Sequence, residues 1–178
     1  MDIQGFQYKY SKFICKEIAI FFCQASSSEI SHRIVQLPIP QTWFNQHDVS
    51  TKHLEWTTNN VHGLSWNNGC AHLGFKDVGN KKRELLLPYQ DLKFFLRNVI
   101  STNNLVYVKG LQKKEWLAKL INNPIIDLEE IGCTYNIDQF ILTHKNTQQH
   151  CNQHIYNNLR CAKKNVLVFK EWLNTKMV

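Results

Sequence analysis

The segment Phe13 to Cys23 (FICKEIAIFFC) limits the possible folds more than any other part of the chain. It is the most hydrophobic stretch, yet it falls well short of the ~20 apolar residues that a transmembrane helix needs. Lys16 and Glu17 interrupt it, and no small-residue cleavage site marks it as a signal peptide. It therefore reads as a buried strand, and the protein as an intracellular one, cytoplasmic or nuclear, with no membrane partner.

The rest of the chain reads as α/β around that strand. Asp2 to Gln7 forms a first strand, joined to the second by a polar turn; Ser26-Ser27-Ser28 closes the second, and Arg33 to Ile39 can form a third before Pro40. Thr42 to Thr58 is compatible with a helix ending at Asn59-Asn60. Val61 to Lys82, punctuated by glycines, reads as loop. Leu87-Pro88 is expected to open a helix whose apolar stripe is Leu92, Phe95, Leu96 and Val99. Asn104 to Lys109 suits a central strand, Gln112 to Ile121 a helix with Trp116, Leu117 and Leu120 inward, and Pro124 to Leu128 another short strand. A closing helix is expected from His150 to Asn174, with Ile155, Leu159, Ala162, Val166, Phe169 and Leu173 at three- and four-residue spacing. Strands first and alternating helices and strands afterwards predict a mixed sheet covered by helices.

The 178 residues fit one domain, 1–178, with no internal repeat and no long linker. Five tryptophans argue for an ordered body. The six cysteines read as reduced thiols, because nothing suggests secretion and the core does not need staples. A net charge of +7 favours an acidic partner, with nucleic acid first; a basic surface serving solubility alone is the other reading. Lys81-Lys82-Arg83, the four lysines of Lys109 to Lys119, and Arg160, Lys163 and Lys164 are the local clusters.

Cys151-x2-His154-x6-Cys161 is the motif with the most chemistry in it. On one helix, at about 100° per residue, these side chains share an arc of about 80°. Two thiolates and an imidazole on one face, with a fourth ligand from elsewhere, satisfy a tetrahedral structural zinc site. A helix that buries two cysteines as small hydrophobes and exposes one histidine is the competing reading. Cys133 competes with Cys151 for the site, whereas Cys15, Cys23 and Cys70 have no ligand spacing and read as structural thiols. Asp127, Glu129 and Glu130 follow a strand as a small acidic group and read as a solvated turn. No glycine-rich phosphate loop or serine nucleophile elbow is present.

The order of elements resembles the ribonuclease-H-like fold of the DEDDh 3′–5′ exonucleases. Asp2-Ile3-Gln4 stands where that family has Asp-x-Glu; Glu17-Ile18-Ala19-Ile20-Phe21 is similar to its second strand, and His62-Gly63-Leu64 to its His-Gly-Ile turn. Cys161-Ala162 occupies the position of the Asp-Ala of the final helix. This resemblance implies a five-stranded mixed sheet with flanking helices. Those exonucleases hold two Mg²⁺ ions with four carboxylates, and hard divalent ions need several anionic oxygens. By position the chain keeps only Asp2: Gln4 replaces the Glu, Lys114 falls near the second Asp, Cys161 replaces the last, and Tyr156 stands near the base histidine. Two-metal exonuclease activity is therefore not expected.

Loss of the carboxylates together with a gained Cys/His set resembles the Maelstrom-domain branch of that superfamily. The likeness implies a zinc held by Glu17, Cys151, His154 and Cys161, pinning the last helix to the second strand; a zinc-free chain in which Glu17 pairs with a lysine is the alternative. It also implies an RNA-binding module, in RNA silencing or in conflict with mobile elements and viruses. Lys109, Lys113, Lys114, Arg160, Lys163 and Lys164 are then the expected nucleic-acid face, flanking the old active-site groove. A ribonuclease acting on single-stranded RNA without two metals, and a protein-interaction scaffold on a dead nuclease fold, are the alternatives.

Overall fold

A computed structural model describes residues 1–8, 12–23, 29–37, 51–66, 86–133 and 160–176. The chain opens with three strands, β1 (Asp2–Tyr8), β2 (Lys12–Phe21) and β3 (Ile30–Gln36). Each is antiparallel to its neighbour. A fourth strand, β4 (Leu86–Pro88), adds to β3 in parallel, giving a four-stranded mixed sheet in the order β1-β2-β3-β4. β5 (Val106–Val108) and β6 (Ile125–Asp127) pair in parallel as a separate two-stranded sheet. Four α-helices are seen among the described residues: α1 (Thr51–Thr57), α2 (Leu92–Val99), α3 (Leu111–Ala118) and α4 (Ala162–Lys176).

The expected α/β class with a mixed sheet holds; the expected five strands do not, since the strands divide four and two. Leu87 and Pro88 were expected to open a helix, but they end β4, where Pro88 costs one donor at the sheet's last strand. A 3₁₀ turn, Tyr89–Asp91, then leads into α2. The closing helix begins only at Ala162; Arg160 and Cys161 precede it in non-helical conformation. Cys161 therefore cannot share one continuous helical face with Cys151 and His154, both of which lie outside the described residues. The carbonyl of Cys161 accepts from Asn165 N–H at 2.9 Å, which puts Cys161 at the helix's N-cap position.

Period-two alternation in β2 explains how a buried strand carries two adjacent charges. Lys16 and Glu17 point to opposite faces, and each is answered there. Lys16 Nζ donates to the carbonyls of Val35 (3.1 Å) and Trp66 (3.0 Å). The Lys16 side of the sheet is the main core, where Ile14, Ile18 and Ile20 meet Leu54, Leu92, Leu96 and Leu117. On the other side α4 packs across β1 and β2, with Ala19, Ala162 and Val166 in contact. Gly5 marks a register shift between β1 and β2, and a Cβ there would lie 2.0 Å from the carbonyl oxygen of Ile14. The bulge requires glycine.

Candidate functional site

The polar chemistry of the molecule gathers beneath α4. Asp2 and Gln4 of β1 stand opposite Ala19 and Glu17 of β2, and opposed residues share a face. On β3, His32 pairs with Ala19 and so joins them. Two buried clusters result, one around Glu17 and one around Asp2.

Glu17 is fully buried, and its carboxylate meets both β3 and the start of α4. His32 Nε2 lies 2.8 Å from Oε1, within hydrogen-bond distance. The Cys161 thiol approaches the same oxygen at 3.6 Å. The backbone N–H of Ala162 donates to Oε2 at 2.8 Å. The acid thus caps the N-terminus of a 15-residue helix, whose free N–H groups and dipole favour a negative charge. Cys15 lies two residues away on the same strand. Burial, reinforced by the charge of Glu17, pushes its thiol far above the ordinary range. It stays protonated, as befits a structural cysteine.

The second cluster centres on Asp2, also fully buried. Its Oδ1 receives the ammonium of Lys113 at 2.6 Å. Its Oδ2 accepts from Gln4 Nε2 (2.6 Å) and from Asn165 Nδ2 (2.7 Å). Burial lowers the neighbouring Met1 amino group to about 6, with Asp2 opposing the shift and Lys113 adding to it. The Met1 nitrogen also donates to the Tyr107 carbonyl at 2.8 Å, bringing β5 to the start of β1.

These distances correct several expectations. Lys114, expected near the position of the family's second Asp, turns outward to Glu130, 2.7 Å away, and the neighbouring Lys113 is the cation that reaches Asp2. Glu17, for which a lysine was the alternative partner, has His32 2.8 Å from its carboxylate. Asp127 is not a solvated turn residue but is buried, accepting from the N–H groups of Gly110 (2.8 Å) and Glu129 (3.0 Å). Gly110 needs its φ of 102° to turn from β5 into α3, which its lack of a Cβ permits.

Two of the four expected zinc ligands, Glu17 and Cys161, meet; Cys151 and His154 lie outside the described residues. Zn–O and Zn–S bonds at tetrahedral angles put oxygen and sulfur about 3.5 Å apart, close to the spacing found. The donor types therefore fit zinc, although no group of three or more His, Cys, Asp or Glu among the described residues is arranged to hold a metal. Cys133 packs elsewhere, with Leu128, Phe169 and Trp172. Phe169 and Trp172 lie seven and ten residues along α4 from Ala162, roughly 10–15 Å away.

The expected nucleic-acid face is only partly available. Lys109 (3.9 Å from Glu129), Lys113 and Lys114 each face a carboxylate, and Lys164 is buried. Arg160 is exposed and Lys163 half-buried. Sequence reasoning missed His32 and Asn165. Their signals were β3 alternation, which aligns His32 with Ile34, and the position of Asn165 one turn after Cys161 within an apolar stripe.

No protein-family model, no curated protein and no solved structure matches the chain.

Proposed function

We propose that the chain is a ribonuclease-H-like, exonuclease-derived domain that binds RNA, is stabilised by zinc, and has lost two-metal catalysis. The observation that carries this reading is the Lys113 ammonium seated 2.6 Å from Asp2 beneath α4. A two-metal centre needs several carboxylates around a divalent pair. Here the one acid left by position is saturated by a lysine and two amides, so an internal cation stands where an ion would be needed. The hairpin β1-β2-β3, the parallel β5-β6 pair beside the start of β1, and the closing helix across β1 and β2 support the ribonuclease-H-like assignment.

Zinc would be held by Glu17 and Cys161 together with Cys151 and His154. Its chemistry there is structural: it ties the start of α4 to β2, and binding to the folded site adds to folding free energy. The net charge of +7 supports an anionic partner, read as single-stranded RNA in silencing or in conflict with mobile elements and viruses. A protein-interaction scaffold is the second reading, favoured by the carboxylates that face Lys109, Lys113 and Lys114.

Metal analysis of the purified protein, with binding to labelled single- and double-stranded RNA at about 50 and 200 mM salt, tests the proposal. Salt-dependent RNA binding without Mg²⁺- or Mn²⁺-dependent trimming of 3′ ends is expected. Absence of salt-dependent binding favours the scaffold. Mn²⁺-dependent nucleotide release that disappears in Asp2→Ala overturns the loss of two-metal catalysis.

A further inference from the structure

We infer that single-stranded RNA is engaged at the junction of α1 and α4, with a base stacked on Trp56 and a phosphate held by Arg160. This rests on the RNA-binding reading and moves its site away from the lysine face first expected.

Trp56 is 58 % exposed on α1, although indole is among the costliest side chains to leave in water. Leu54, Thr57, Thr58 and His62 bury the inner side of this helical run; Lys52, Trp56, Asn59 and Asn60 are left outward. After Thr57 the run widens into a π turn, Thr58–His62, closed by Gly63 N–H to the Thr58 carbonyl at 2.9 Å. Gly63 adopts the left-handed φ of 66° that such a closure needs. The Asn60 side chain donates to the Trp56 carbonyl at 2.8 Å, tying the widened turn to the tryptophan's own backbone. π turns of this kind recur at functional sites.

Arg160 reaches the same end of the run: its N–H donates to the Val61 carbonyl at 3.1 Å. Its side chain is exposed, and no carboxylate faces it among the described residues, in contrast to Lys109, Lys113 and Lys114. Lys163 follows one turn on, half-buried. An exposed indole, with an exposed arginine anchored five residues further along the same run, supplies the two groups that non-duplex nucleic acid requires, because every unpaired base offers a π-face and every nucleotide a phosphate. A protein partner fits less well. Among the described residues, the exposed neighbours of Trp56 on the same run are Lys52, Glu55, Asn59 and Asn60, all polar.

The test is fluorescence anisotropy with a labelled 12-nucleotide oligouridine and with a duplex RNA. Parent, Trp56→Ala, Trp56→Phe, Arg160→Ala and Phe94→Ala are compared, with folding checked by circular dichroism. Phe94 is 71 % exposed on α2 and serves as the competing aromatic. Loss of one stacked base should weaken oligouridine binding by about 5- to 150-fold in Trp56→Ala, with substantial recovery in Trp56→Phe. Arg160→Ala should flatten the salt slope by about 0.7, the share of one phosphate on a single strand. Phe94→Ala should bind as the parent does. If the parent binds RNA and Trp56→Ala binds it equally, this inference fails while RNA binding stands. If Trp56→Ala weakens duplex and single strand alike, stacking is refuted. If the parent binds no RNA, both readings fall.

Discussion

Replacing Lys113 by methionine keeps the alkyl stem and removes the ammonium 2.6 Å from Asp2. Asp2 is fully buried, so water cannot readily replace the lost partner. Removing one member of a buried ion pair costs about 3–5 kcal/mol. Two features reduce that figure here. Gln4 and Asn165 still donate to Oδ2, and the Lys113 side chain is 22 % exposed, so its charge is partly screened already. A cost of about 2–3 kcal/mol is expected. For a chain of this size each kcal/mol lowers Tm by about 2–4 °C, giving a drop of about 4–12 °C. Thermal melts at pH 7 followed by circular dichroism measure it. The double variant Asp2→Asn/Lys113→Met removes both charges and should melt above Lys113→Met, since no buried carboxylate is then left without its cation. A Lys113→Met protein as stable as the parent, or effects that simply add, would show that the pair does not hold α3 to β1.

Three further outcomes are expected. The protein should purify with about one equivalent of zinc, and chelation or His154→Ala should lower Tm strongly; zinc-free protein from a preparation never exposed to chelator refutes the site. Gly5→Ala drives a Cβ to 2.0 Å from the Ile14 carbonyl oxygen, so the β1–β2 register must shift, and a stability loss of about 1–3 kcal/mol should appear in urea titration. An unchanged midpoint would refute the bulge. Burial raises the Cys15 thiol, so at pH 8 it remains protonated and iodoacetamide should spare it in native protein while modifying exposed Cys23. Peptide mass spectrometry showing equal modification of the two would contradict the burial of β2.

Local pattern alone was enough to find β1, β2, β5, β6 and the inward stripes of α2 and α3. β5 and β6 are short apolar runs set off by Gly110 and Pro124, and in the longer elements apolar residues recur at a period that does not depend on what packs against them. β4 was not legible: Leu87-Pro88 reads locally as the opening of a helix, and Leu86–Pro88 became a strand only by pairing with β3. Nor could spacing reveal that the last helix starts after Cys161, since Arg160 and Cys161 read as helix until the Val61 carbonyl and Glu17 claimed their surroundings.

The choice between Lys113 and Lys114 shows the division most sharply. Both are lysines on one helix, and about 100° of rotation separates an internal cation on Asp2 from a surface pair with Glu130. Periodicity decides which side of an element turns inward. What waits there is decided by residues as distant as Asp2 and Asn165, 163 positions apart. His32, Glu17 and Cys161 likewise come from three separate elements, and only the packing of α4 against the sheet brings them within bonding distance.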